Sequence, residues 1–113
     1  MIRGEVWLVN FDPTIGDEIR KTRPAVIVND DSVGKLDLRV IVPITNWNDD
    51  FLDSPWLVRI APNASNGLAK VSTADTFQVK SASVLRFIRK LGKLSEEELN
   101  EVSKALSFML GTF

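Results

Sequence analysis

RGEVWLVNFDPTIGDEIRKTRPAVIV, residues 3–28, places two apolar runs around a polar interruption. The first, GEVWLVNF over 4–11, is rich in Val, Trp and Phe and reads as a β-strand. Asp12-Pro13 and then Thr14-Ile15-Gly16 break it. A charged stretch follows to Arg23. Pro24 opens the second run, AVIVN, which is too short for a helix and full of β-branched residues. Two short strands joined by a polar excursion predict a β-rich fold.

The segments downstream extend that reading. Residues 29–38 are polar, contain Gly34 and predict a loop with one helical turn. RVIVPIT, 39–45, is a third strand. Pro43 cannot donate to a ladder, so this end is expected at a sheet edge or a bulge. A polar loop over 46–55 carries Trp47 and Phe51. WLVRI, 56–60, is a fourth strand, and Pro62-Asn63 with Asn66-Gly67 marks the next turn. Val71, Thr73, Asp75, Phe77 and Val79 are expected to share one face of an extended segment. VLRFIRK, 84–90, suggests a further strand.

The last element has a different period. Leu99, Val102, Leu106 and Met109 recur at helical spacing. Ser95 is placed to cap, Glu98 to close a capping box, and Leu94 with Leu99 to form a hydrophobic staple. Glu96, Glu97 and Glu98 suit the positive end of the helix dipole. Gly111 is a natural stop. The expected architecture is a mostly antiparallel β-barrel closed by a C-terminal helix, one domain over 1–113.

Composition narrows the chemistry. The chain has 113 residues, 44% hydrophobic and 26% charged, which suits one soluble domain. No uncharged apolar run is long enough to span a membrane, and the N-terminal stretch lacks the pattern of a signal peptide, so a cytoplasmic location is expected. Cysteine is absent, which removes disulfides, zinc–thiolate sites and thiol nucleophiles. Histidine is absent as well, so catalysis must rest on carboxylates, arginine, lysine, hydroxyls or backbone groups. The net charge is −1, yet Arg20, Lys21 and Arg23 form one basic cluster and Arg86, Arg89, Lys90 and Lys93 another. Local fields steer a polyanion more than the total does. The plainer reading is two solvated basic patches.

RGEVWLVNFDPTIGDE (3–18), TRPAVIV (22–28), VIVPIT (40–45) and LGKLSEEELNEVSKAL (91–106), in this order and spacing, resemble the MazF/PemK toxin family. The resemblance implies an SH3-like antiparallel barrel of the MazF/PemK/CcdB type with a C-terminal α-helix. It implies a homodimer that binds single-stranded RNA in a groove at the dimer interface. It also implies metal-independent endoribonuclease activity with no cofactor, leaving a 2′,3′-cyclic phosphate and a 5′-hydroxyl. The expected partner protein is a cognate antitoxin of a type II toxin–antitoxin system.

The same resemblance nominates residues. Arg23 matches the arginine of the family's R-P motif, and its planar fork can bind two phosphate oxygens at once. Its pKa, above about 12, makes charge stabilisation a better role than proton abstraction. Thr45 matches the active-site threonine at the end of the PIT strand. Asp75 matches an acidic residue that some members carry, and burial would fit it as a general base. The plainer readings are a surface arginine at a strand start, a β-branched strand residue, and an aspartate that caps a turn or pairs with Arg86 or Arg89.

Two departures stand out: Thr73 occupies the position of a family arginine, and Asp17 that of a histidine found after the turn glycine in some members. The expected RNA contacts are Asp17, Glu18, Arg20, Lys21, Asn46, Trp47, Phe51 and Thr73. Trp47 and Phe51 suit stacking on unpaired bases, worth about 1–3 kcal/mol each; burial under their loop is the alternative. Trp7 and Trp56 are expected in core or interface. No carboxylate cluster with metal-ligand spacing is evident. Two other functions remain open on this fold. One is a gyrase poison of the CcdB type acting through Met109 to Phe113. The other is a barrel that binds RNA or a partner without cutting.

Overall fold

Seven strands and one helix follow in chain order in the computed structural model, which describes residues 1–33 and 36–112. They are β1 (Glu5–Asn10), β2 (Thr22–Ile27), β3 (Leu38–Asn46), β4 (Leu57–Ile60), β5 (Ser72–Asp75), β6 (Lys80–Ser83), β7 (Phe87–Lys93) and α1 (Glu96–Leu110). Short 3-10 turns cover Asp31–Val33, Asp49–Phe51, Thr76–Gln78 and Val84–Arg86. Gly34 of the expected 29–38 loop, and Phe113 at the end of the segment a gyrase poison would use, lie outside the described residues.

The strands form one seven-stranded antiparallel sheet in the order β4-β5-β3-β2-β1-β7, with β6 also paired to β3. This is the expected β fold with a terminal helix. The central strands are buried on both faces. Val6, Val26, Val42 and Ile44 pack with Ala74 of β5 and Val102 of α1. On the other face Val9, Phe11, Ala25, Ile27, Ile41 and Ala82 form a second cluster, flanked by Trp7, Ile19 and Phe87. Burial on two sides explains why AVIV and VIVPI are continuous apolar runs rather than alternating ones.

Both prolines of these strands fall where no ladder bond is lost. β2 begins at Thr22, two residues before the expected start, and its pairing with β3 starts only after Pro24, at Ala25. Of the two places expected for Pro43, a sheet edge or a bulge, the edge does not hold. One side of β3 pairs with β2 through Ile41–Pro43; the other pairs with β6 up to Ile41 and with β5 from Ile44. Pro43 sits at the change of partner, so its missing N–H interrupts neither ladder.

Two more expectations change. The extended segment over 71–79 ends at Asp75, where the chain turns into Thr76–Gln78. Ser72, Thr73 and Ala74 are all buried while Phe77 is exposed, so the five residues do not share a face. Residues 84–86 form a turn, and the strand expected over 84–90 starts at Phe87. The polar segment KSAS supplies the additional strand β6.

The helix matches its local signals. The Ser95 hydroxyl accepts from the Glu98 N–H at 3.1 Å, and the Glu98 carboxylate accepts from the Ser95 N–H at 2.8 Å. Gly111 ends it at φ 72°. Val102 and Ala105 are buried against the sheet. The Asn66 side chain, fully buried, donates to Ala61 O and to Glu98 Oε2, tying the turn before β5 to the helix start.

Candidate active site

Antiparallel pairing puts directly opposed side chains on the same face of a sheet. Thr45 of β3 pairs with Thr73 of β5, and Thr73 pairs with Arg59 of β4. Continuing the register of Ala25 opposite Pro43 by two residues places Arg23 across from Thr45. A row Arg23–Thr45–Thr73–Arg59 therefore crosses four strands on one face. Asp75 lies two residues from Thr73, on that same face.

The groups in this row differ in what holds them. Arg23 and Thr45 are half-buried, and neither side chain makes a hydrogen bond or ion pair among the described residues. Thr73, expected among the RNA contacts, has no exposed surface, and its hydroxyl donates to Asn46 O at 3.0 Å. That burial corrects the expectation: Thr73 fastens the end of β3 and is out of reach of a ligand. Asn46 itself is exposed at the strand end.

Asp75 is half-buried and accepts from the Phe77 N–H at 3.1 Å, capping the Thr76–Gln78 turn. Burial pushes its carboxyl above the ordinary value, and bonds from Phe77 and Gln78 offset part of that rise. It does not pair with Arg86, whose guanidinium donates to Asn10 O and Asp12 O, and no ion pair joins it to Arg89. The capping reading thus holds for its ground-state contacts.

The loop between β1 and β2 is fastened beside this face. Phe11 N–H donates to Lys21 O at 2.8 Å and Lys21 N–H to Asp12 Oδ1 at 3.0 Å. Gln78 grips the loop from the other side, accepting from the Ile19 N–H at 2.6 Å and donating to Asp17 O at 3.2 Å. Between them runs a groove of about 430 Å³ lined by Asp17, Glu18, Pro43, Phe77, Gln78 and Lys80. Asp17, Glu18, Arg20 and Lys21 are exposed along this loop; Glu18 accepts from the Ile15 N–H, and Arg20 donates to Gly16 O. Lys21 takes φ +62°, which orients the strand entry just before Arg23.

Trp47 and Phe51 pack edge to face, 5.8 Å apart at 86°. The Trp47 indole N–H donates to Asp49 Oδ1 at 2.8 Å, and the Arg59 guanidinium carbon lies 6.0 Å from the Trp47 ring centre. Both aromatics are half-buried, so they pack under their loop and keep part of their surface open. Trp7 packs on Phe87 in the second cluster, and its indole donates to the buried Glu5 carboxylate. Two members of the site carry no sequence signal of their own. Gln78 shows its role only through the loop it holds. Arg59 sits in a plain strand, WLVRI, and matters only because β4 is registered against Thr73. Among the described residues, no group of three or more His, Cys, Asp or Glu converges as metal ligands would. A free guanidinium and a free hydroxyl on one face, with a carboxyl of raised proton affinity on that face as well, suit a phosphate ester.

Comparison with known proteins identifies the family. A family model described as the PemK-like, MazF-like toxin of type II toxin-antitoxin system matches residues 2–110. Endoribonuclease MazF9 of Mycobacterium tuberculosis is 31% identical over 116 residues, covering 97% of this chain and 96% of that protein. The crystal structure of MazF from Deinococcus radiodurans superposes with a TM-score of 0.79 at 24% identity, covering 98% of this chain and 96% of that one. An endoribonuclease in complex with its cognate antitoxin, from a mycobacterial species, superposes with a TM-score of 0.77 at 18% identity, covering 98% and 95%. A family match along almost the whole chain and a relative at that identity leave one assignment: the chain belongs to the PemK-like, MazF-like toxin family of type II toxin–antitoxin systems.

Proposed function

We propose that this protein is a toxin that cuts single-stranded RNA as a metal-independent endoribonuclease. The observation that carries the reading is the pair Arg23 and Thr45, on adjacent strands of one face, with neither side chain engaged by the described residues. The relative's name, endoribonuclease, supports the reaction type.

In this reading the RNA supplies its own nucleophile. The 2′-hydroxyl loses its proton, its oxygen bonds to phosphorus, and the bond from phosphorus to the 5′-oxygen breaks. The 5′-oxygen takes a proton from solvent water and leaves as a hydroxyl, and the other fragment ends in a 2′,3′-cyclic phosphate. Need for the 2′-hydroxyl separates RNA from DNA. Arg23 binds the non-bridging oxygens as negative charge builds on them, and Thr45 donates a further hydrogen bond. Asp75 takes the 2′-proton. Its partial burial favours the protonated form and so strengthens it as a base. Asp17, Glu18, Arg20 and Lys21 along the loop, with Asn46, Trp47 and Phe51 at the end of β3, hold the flanking nucleotides.

The partners follow from the same reading: a second copy of the chain, and an antitoxin such as the one that accompanies the mycobacterial neighbour. Leu85, 92% exposed, and Ile88, 55% exposed, offer apolar surface for a second protomer to cover. The site of action is the cytoplasm, where mRNA is. No helix among the described residues is long and apolar enough to cross a membrane.

The test is incubation with a long, mostly unstructured RNA in excess EDTA, beside Arg23→Ala and Thr45→Ala. Discrete fragments ending in cyclic phosphate, lost in both variants, are expected. Intact RNA over a range of sequences and pH, from protein shown to be folded, would sink the reading. A supercoiling assay would then examine the gyrase alternative.

A further inference from the structure

We infer that Arg59 is a second RNA-binding arginine, gripping a phosphate on the side of Thr45 opposite Arg23. The pairing Thr45–Thr73–Arg59 sets Arg59 on the face that carries Arg23. With strands about 4.8 Å apart, the Arg59 backbone lies roughly 10 Å from that of Thr45, two strands away. The two arginines thus bracket the free Thr45 hydroxyl across the sheet. Thr73, between them, is buried and leaves the row's outer end to Arg59.

The Arg59 side chain is exposed and makes no ion pair or hydrogen bond among the described residues. That matters because Asp49, Asp50 and Asp53 all lie in the loop that follows Trp47, and none of them pairs with it. Instead the guanidinium lies over the Trp47 ring, 6.0 Å from its centre. A cation–π contact of this kind biases the side chain's position while its N–H donors carry no hydrogen bond among the described residues. An exposed, unpaired guanidinium in register with the Arg23–Thr45 row suits a second phosphate of the same strand.

The identity of the polyanion rests on the proposed RNA-cutting function, so the test reads binding rather than cleavage. A short fluorescein-labelled oligonucleotide of mixed sequence, 2′-fluoro throughout and therefore uncuttable, is titrated with wild-type, Arg59→Ala and Arg59→Lys protein across salt concentrations. Arg59→Ala is expected to weaken binding about tenfold and to lower the slope of log affinity against log salt by about 0.7, one phosphate contact on a single strand. Arg59→Lys keeps the charge and should keep the wild-type slope. Wild-type protein that does not bind the probe, or an Arg59→Ala slope equal to wild type, overturns the inference. So does an equal loss of affinity in both variants at unchanged slope, which would reduce Arg59 to packing on Trp47. Failure of wild-type protein to cut ordinary RNA would instead defeat the proposed function and leave the slope comparison standing.

Discussion

Thr45 and Thr73 face each other directly across the β3–β5 ladder, and their hydroxyls have opposite fates. That of Thr73 is tied to the backbone carbonyl of Asn46, while that of Thr45 has no partner among the described residues. Two like residues in one pair therefore separate structure from chemistry. Thr45→Val removes no intramolecular bond, so its Tm should stay near wild type, while kcat for RNA cleavage should fall by about 10²–10³-fold, as for loss of one charge-stabilising donor. Thr73→Val removes a buried bond worth about 1 kcal/mol. Its Tm should drop, with activity falling far less. Thermal melts and single-turnover cleavage on both variants check the pair; a Thr45→Val protein that cuts at the wild-type rate would remove Thr45 from the mechanism.

Asp75 makes a prediction about pH. Its folded-state pKa is raised, chiefly by burial. A base must be ionised to act, so the rate should climb as pH rises through this raised pKa, and the acid limb should vanish in Asp75→Asn along with most of the activity. The linkage has the matching sign. A raised carboxyl means that the ionised form costs stability above the folded pKa, and the cost disappears as pH falls below it. Asn can still cap the Thr76–Gln78 turn. Asp75→Asn should therefore be at least as stable as wild type at neutral pH, with no such advantage in acid. A cleavage profile whose acid limb survives the substitution would leave Asp75 as a cap alone.

What could be read from the chain beforehand depended on distance in sequence. The helix was legible to the residue because Ser95, Glu98, Leu94 and Gly111 act within one or two turns of themselves. The runs AVIV and VIVPI declare strands. The strand β6 stayed hidden because KSAS has no apolar pattern; its pairing is decided by Leu38–Ile41, some forty residues away. The surroundings of Pro43 are hidden for a related reason: a partner change in the middle of a strand leaves no mark in the strand itself. Arg23 and Thr45 were reached through motif likeness and not through physics, since an arginine at a strand start and a threonine at a strand end are ordinary. Arg59 needed the register of β4 on β5.

Thr73 also bears on the departure from the family pattern. Its side chain has no exposed surface and its hydroxyl is tied to Asn46 O, so an arginine placed there must break that bond and displace its neighbours. Thr73→Arg is expected to destabilise by about 1–3 kcal/mol, the range for overpacking. It should bring no gain in rate. Urea unfolding and cleavage assays on this variant decide the matter; a stable protein with faster cleavage would show that the site tolerates a cation from β5 and lacks one.

Glu5 supplies the last prediction, and it concerns the fold away from the site. Its carboxylate is buried between β1 and β7, where burial alone would raise its pKa. Hydrogen bonds from the Trp7 indole and the Ile2 N–H, with the Lys90 ammonium at 3.0 Å, outweigh that and hold it down from 4.5 to about 2. A depressed acid stabilises the fold above its unfolded pKa and loses that contribution as pH falls through the folded value. At about 1.36 kcal/mol per pKa unit, discounted because Lys90 is half exposed, the contribution is roughly 2 kcal/mol. Glu5→Gln should be less stable by about that much at neutral pH. The gap should close between the unfolded value and about 2, where wild-type Glu5 takes up its proton. Urea midpoints of the two proteins over a pH series measure it. Parallel curves across the whole acid range would mean that the carboxylate's charge adds nothing to the β1–β7 contact, leaving it to the backbone ladder and packing.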